Sequence, residues 1–243
     1  MTDVLRVGVP VATVWASPDA PRDLDAPAVA DRPDLAAWLD GLSAEDRLGL
    51  HGRTLTQLLE GEPVLLGDER EGWAEVVAPW QPVPGQDGYR GWVRSAHLRQ
   101  PLVTDPDHPR SHVPADRIAL VAYAERFQGL VYLWGGTSPA GFDCSGLVHY
   151  AYRQAGVVVP RDSPDQALAV TPVPLGTEEP GDLYFFARDD GRIYHVGFVT
   201  GRGRMLHAPE TGGSGRIVDE HLDDERRGHL VAAGRFMISP DPR

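Results

Sequence analysis

The sequence predicts two folded parts in series, a small all-β barrel with a helical insertion followed by an α+β domain. Three observations predict it. Residues 1–100 carry short β-type runs separated by Gly, Pro and Asp. Residues 33–50 interrupt those runs with helical spacing of apolar side chains. Beyond residue 114, helical patterns come first and strand patterns later, the order of an α+β domain. A chain of 243 residues is long enough to build both cores.

In the first part, residues 7–15, 63–66, 73–77 and 91–93 read as strands, and turn residues between them favour closure into a small barrel. The insertion contains LAAWLDGLSAEDRL, with Ser43 placed to cap a helix. Residues 101–114, rich in Pro, His and Asp, read as a linker. The second part, residues 115–243, opens with a helix over 115–128. A second helix covers 144–155, with Asp143 and Ser145 at its start and Gly156 just past its end. From Gly181 onward DLYFF, YHVGFVT and RMLHA read as strands, with glycines in the turns. There is no internal repeat.

Composition excludes several classes. Hydrophobic residues at 42% and charged residues at 24% are globular values. The formal net charge of -12 excludes nonspecific nucleic-acid binding, which needs a basic surface. Every fixed side-chain cation is arginine, since the sequence has no lysine. A single cysteine rules out an intramolecular disulfide and a zinc site built on several thiolates. No apolar run approaches the ~18 residues of a membrane span. The segment MTDVLRVGVPVATVW lacks a basic stretch followed by an apolar core, so it reads as a strand rather than a signal peptide. The expectation is a cytoplasmic protein, or a secreted one if an upstream signal has been removed.

The cysteine carries the chemistry. GFDCSGL places Cys144 in the first turn of a helix, where unpaired backbone N–H groups and the helix dipole favour an anion. A thiolate is the reactive form of cysteine, and such a position is expected to lower the thiol pKa. The same N–H groups suit an oxyanion formed when the sulfur attacks a carbonyl. His195 and His207 lie on successive strands joined by GRGR, so adjacent antiparallel pairing brings both onto one face. One imidazole then faces Cys144 and the other orients it. Zinc on Cys144, His195 and His207 lacks a short chelating pair, so no metal is expected.

Four separated motifs carry a family resemblance. YLWGGTSPAGFDCSGLV, PRDSPDQ, GDLYFF and YHVGFVTGRGRMLHA resemble, in order and spacing, those of NlpC-type cysteine peptidases. The resemblance runs from about residue 115 to near the C-terminus and implies a papain-like domain. It implies Cys144 as nucleophile, His195 as base, His207 as orienting residue, and Tyr132 as a hydroxyl beside the nucleophile. It also implies that Asp143 and Ser145 shape the neighbouring pocket, where an acid suits a ligand ammonium group. The first hundred residues resemble the bacterial SH3-like barrel of murein-peptide endopeptidases, through GDEREGWAEVVAPW and GYRGWV. In such relatives the tyrosine matching Tyr89 reaches over the active site and helps enclose the substrate's free amino end; a further barrel acid could be Glu60 or Glu62.

The resemblance therefore implies an endopeptidase for the γ-D-glutamyl–L-diamino acid bond of murein peptides that begin with a free L-Ala, serving cell-wall recycling, with no cofactor. The competing expectations are a secreted hydrolase of intact peptidoglycan, a non-catalytic murein-peptide binding protein, and an acyltransferase or amidase of the same fold. The sequence leaves the oligomeric state open.

Overall fold

A computed structural model describes residues 3–210 and 215–238. Its contacts divide the chain into two compact units, one of residues 1–108 with 133–141 and one of residues 109–132 with 142–243. The first unit thus takes in nine residues from within the YLWGGTSPAGFDCSGLV motif.

The first unit is built on seven antiparallel strands, β1 (Val4–Val7), β2 (Val11–Trp15), β3 (Thr54–Leu59), β4 (Pro63–Arg70), β5 (Trp73–Ala78), β6 (Tyr89–Arg94) and β7 (Leu98–Arg99), in the order β3-β2-β6-β5-β4-β1-β7. Residues 7–15 are two strands rather than one, because Pro10 has no N–H to give a ladder. Val7, Val14, Leu58, Val64, Val76 and Val93 alternate inward and form the barrel core. Strand β3 lies outside the runs expected from sequence. The register of β6 begins at a glycine-dependent corner: Gly88 has φ +150, and a Cβ there would lie 2.3 Å from the carbonyl oxygen of Ala78.

The insertion forms three short helices, α1 (Ala26–Val29), α2 (Leu35–Gly41) and α3 (Ala44–Leu48). Ser43 caps α3 as expected, exchanging bonds with Asp46 in a capping box. Trp15, Trp38, Leu42, Leu50 and Trp73 make a second apolar cluster, and Leu133 joins it. Within that cluster Asp25 is fully buried but satisfied, accepting from Arg22 and from the indole Nε1 of Trp38 at 2.8 Å.

Residues 133–141 dock on β3. Trp134 Nε1 donates to the Thr54 carbonyl at 3.1 Å, and Thr54 Oγ1 donates back to the Trp134 carbonyl at 3.0 Å. The buried side chain of Gln57 accepts from the Thr137 N–H at 3.1 Å and from Ser138 Oγ at 2.8 Å, while Thr137 Oγ1 donates to the Gln57 carbonyl. This stretch carries β8 (Thr137–Ser138), which pairs with β9 (Gly141–Phe142).

The second unit contains α4 (Arg117–Glu125), α5 (Cys144–Gln154) and α6 (Ser163–Ala169), then β10 (Thr171–Val173), β11 (Leu183–Ala187), β12 (Ile193–Gly201), β13 (Arg204–His207), β14 (Val218–His221), α7 (Asp224–His229) and β15 (Leu230–Arg235). Its six strands run antiparallel in the order β10-β15-β11-β12-β13-β14, so the last strand inserts beside β11. Residues 145–153 of α5 are all buried, which makes α5 the central helix, packed on β12. Three helices precede the sheet, α7 falls between β14 and β15, and the whole is the papain-like α+β arrangement. At the point where the chain leaves this unit and returns to it, Tyr132 and Phe142 pair in a parallel bridge.

Candidate active site

Cys144 is the first residue of α5, and Asp143 is its cap, accepting from the Gly146 N–H at 2.7 Å. Cys144 is part-exposed as a residue, while its sulfur lies inward and receives backbone N–H groups from Ser145 and from Val196 on β12. Those donors and the nearby Arg161 cation favour the thiolate, yet desolvation outweighs them. Burial, aided by the Asp143 charge, pushes the thiol up to about 12. The expectation of a lowered thiol pKa is therefore reversed: the helix terminus acts in the predicted direction but is the smaller effect.

The bond from Val196 brings Cys144 to the strand position next to His195. His195 and His207 share one face of the sheet, with rings 4.9 Å apart and nearly perpendicular. His195 Nε2 and His207 Nδ1 are 2.8 Å apart, within hydrogen-bond range. The glycine of the HVG sequence makes room for this pair, since a Cβ on Gly197 would approach the His207 Cβ to 3.0 Å. Burial lowers His195 well below the ordinary imidazole value, with His207 and Arg226 adding to the shift. His207 is lowered to about 3 by burial and by Arg226. Both rings are neutral at neutral pH.

Tyr132 is buried, and its hydroxyl is held far above its usual pKa by burial and by the neighbouring Cys144 and Asp143. It therefore stays a hydrogen-bond donor. Asp143 has partners inside the protein. Its carboxylate is engaged by the helix N–H and by both terminal nitrogens of buried Arg161, at 3.0 and 2.5 Å. Its charge is paired with the Arg161 cation. Ser145 Oγ donates to Asp143 at 3.3 Å and accepts from Arg161 at 3.0 Å. Tyr89 lies in the first unit at the head of β6, opposite Ala78 and packed on the barrel core. Glu62, one of the two barrel acids singled out, is fully buried there and bonds to the Leu59 N–H and to Gln81.

Sequence reasoning missed two groups. Arg161 was visible in PRDSPDQ, but nothing marked its partner 18 residues away. Glu220 sits on β14 with Oε1 3.1 Å from His207 Nε2. Among the described residues no group of His, Cys, Asp and Glu could hold a metal ion.

Comparison with known proteins finds relatives over most of the chain. Residues 129–231 match the NlpC/P60 family, and residues 50–98 match a bacterial dipeptidyl-peptidase SH3 domain. The γ-D-glutamyl-L-lysine dipeptidyl-peptidase of Bacillus subtilis is 32% identical, over 86% of this chain and 90% of its own. The chain belongs to the NlpC/P60 family. The namesake enzyme from Bacillus cereus is 27% identical over 87% of this chain and 85% of its own. An NlpC/P60 family crystal structure from Bacillus cereus superposes with a TM-score of 0.87 at 25% identity, covering 96% of this chain and 99% of that one. This NlpC/P60 chain is accordingly a cysteine peptidase with an N-terminal SH3-like domain.

Proposed function

We propose that this protein hydrolyses the γ-D-glutamyl–L-diamino acid amide of wall-derived peptides that begin with a free L-Ala. The observation that carries the reading is the array of Cys144 at the start of α5 against the His195–His207 pair. His195 takes the thiol proton as the sulfur attacks the γ-carbonyl of D-glutamate. The backbone N–H of Cys144 and the hydroxyl of Tyr132 steady the oxyanion. His195 then gives the proton to the leaving amine, and water, activated by the same imidazole, releases the acyl group. Because thiol and imidazole are both neutral at rest, the proton moves at the moment of attack.

The relatives from both Bacillus species support the substrate class, and the name dipeptidyl-peptidase denotes release of an N-terminal pair of residues. A role in recycling wall fragments inside the cell belongs to the same proposal. Incubation with L-Ala-γ-D-Glu-L-Lys and with its meso-diaminopimelate analogue should release L-Ala-D-Glu, and N-acetylation of the alanine should slow release at least about tenfold, or about 1.4 kcal/mol. Equal cleavage of free and acetylated peptides, or solubilisation of intact sacculi, would favour a wall hydrolase instead.

A further inference from the structure

His207 contacts a second polar group on the side away from His195. Its Nε2 lies 3.1 Å from Glu220 Oε1, and the same oxygen accepts from Arg226 at 2.7 Å. The strands provide this placement, since β13 and β14 are neighbours in which Met205 pairs with Glu220. His207 is completely buried, while Glu220 is about one-third exposed with Arg226 beside it. Asp223 shares the same nitrogen of Arg226, at 3.1 Å. The charged and titratable groups facing His207 are thus His195, Glu220, Arg226 and, less directly, Asp223.

We propose that Glu220 is a positioning residue that sets the tautomer of both histidines and so makes His195 a base toward Cys144. An ionised carboxylate only accepts hydrogen bonds, so His207 must present its N–H at Nε2. A neutral imidazole has one N–H, and the Nδ1 of His207 is then left as an acceptor. His195 must donate to it from Nε2. The free lone pair of His195 is thereby on Nδ1, available for the thiol proton. The opposite assignment would turn a lone pair of His207 toward the carboxylate and leave His195 with an N–H where a base is needed. Arg226 fixes the Glu220 carboxylate in place.

The inference rests on the assignment of Cys144 and His195 as nucleophile and base. Glu220→Gln keeps the shape but can donate as well as accept, so it removes the bias. A direct carboxylate–base contact is worth ~10⁴-fold in kcat; with His207 intervening, Glu220→Gln should lower kcat by about 10–100-fold with KM unchanged. Imidazole ¹⁵N NMR of the resting wild-type protein should show His195 and His207 both protonated at Nε2, a reading that needs no variant. In Glu220→Gln the two tautomers should become mixed. A wild-type His195 protonated at Nδ1, or a folded Glu220→Gln with unchanged kcat, would overturn the role of Glu220. Full activity in His195→Ala would instead overturn the assignment beneath it.

Discussion

Arg161 closes on Asp143 with both ends of its guanidinium, and both side chains are buried beneath the start of the nucleophile helix. A bidentate pair of this kind holds the cap of α5 rigid and places a cation near the sulfur. Replacing Arg161 with methionine leaves a buried carboxylate uncompensated. Urea unfolding should show a loss of about 3–5 kcal/mol. Because the Arg161 cation lowers the thiol pKa, alkylation of Cys144 by iodoacetamide should also slow in the folded fraction.

Cys144→Ala should abolish turnover with the fold intact, as read by circular dichroism and product analysis. His195→Ala should cost nearly as much, because nucleophile and proton shuttle act as a unit. His207→Ala should cost less, since it acts on the sulfur only through His195. A larger loss at His207 than at His195 would reverse the two roles.

Activity should extend to unusually low pH. His195 must be neutral to accept the thiol proton, and its pKa is lowered well below the ordinary 6.5. The acid limb of kcat/KM should therefore fall well below pH 6.5, with apparent values that belong to the coupled pair. The thiol, pushed up to about 12, should remain neutral through the mid-pH range. An acid limb at or above 6.5 would show that burial does not hold His195 neutral.

Stability should move the opposite way. His149 and His207 are held neutral by burial, both lowered to about 3. Their unfolded forms protonate near 6.5, so the unfolded state binds more protons between those values. The stabilisation they retain above pH 6.5 is lost as pH falls toward 3, by up to about 1.4 kcal/mol per pH unit for each fully buried ring. Urea midpoints measured from pH 7 to pH 4 should fall accordingly, and replacing His149 by an uncharged residue should flatten the slope.

Gln57→Ala removes the acceptor for Thr137 and Ser138 and leaves those buried groups unpaired. The expected cost is about 1–3 kcal/mol, visible as a lowered urea midpoint. Because the segment it anchors leads into Phe142 and Cys144, kcat should fall as well. Gln57→Glu retains an acceptor and should recover part of the stability.

The site was legible where its logic is local. Cys144 sits where a cap, a helix start and a glycine-bearing loop coincide within a few residues, and the two histidines follow from strand alternation across one turn. Partnerships over longer separations were not legible. Arg161 and Glu220 look like ordinary charged residues until the fold brings them to Asp143 and His207. Strand β3 followed a helical pattern, and with most of TLTQLL buried its period is blurred. β15, LVAAGR, has little strand propensity and is held by its two neighbours in the sheet. The direction of the Cys144 pKa was misjudged because a helix N-terminus can be read from sequence, whereas the loss of solvent around the sulfur cannot.

The docking of residues 133–141 on β3 also bears on the order in which the protein is made. Gln57 and Thr137 are 80 residues apart, so at ribosomal rates of roughly 5–20 residues per second the partners of β3 follow it by about 4–16 s. From the completion of β7 at residue 99 until residue 137 is made, the nascent barrel has all seven strands of its sheet and still lacks the segment that bonds to Gln57 Oε1. Its last stabilising contacts arrive only as the nucleophile itself is being synthesised. A chain arrested after residue 108 would hold a complete sheet and an incomplete domain, and it should be a better protease substrate than the same residues within the finished protein.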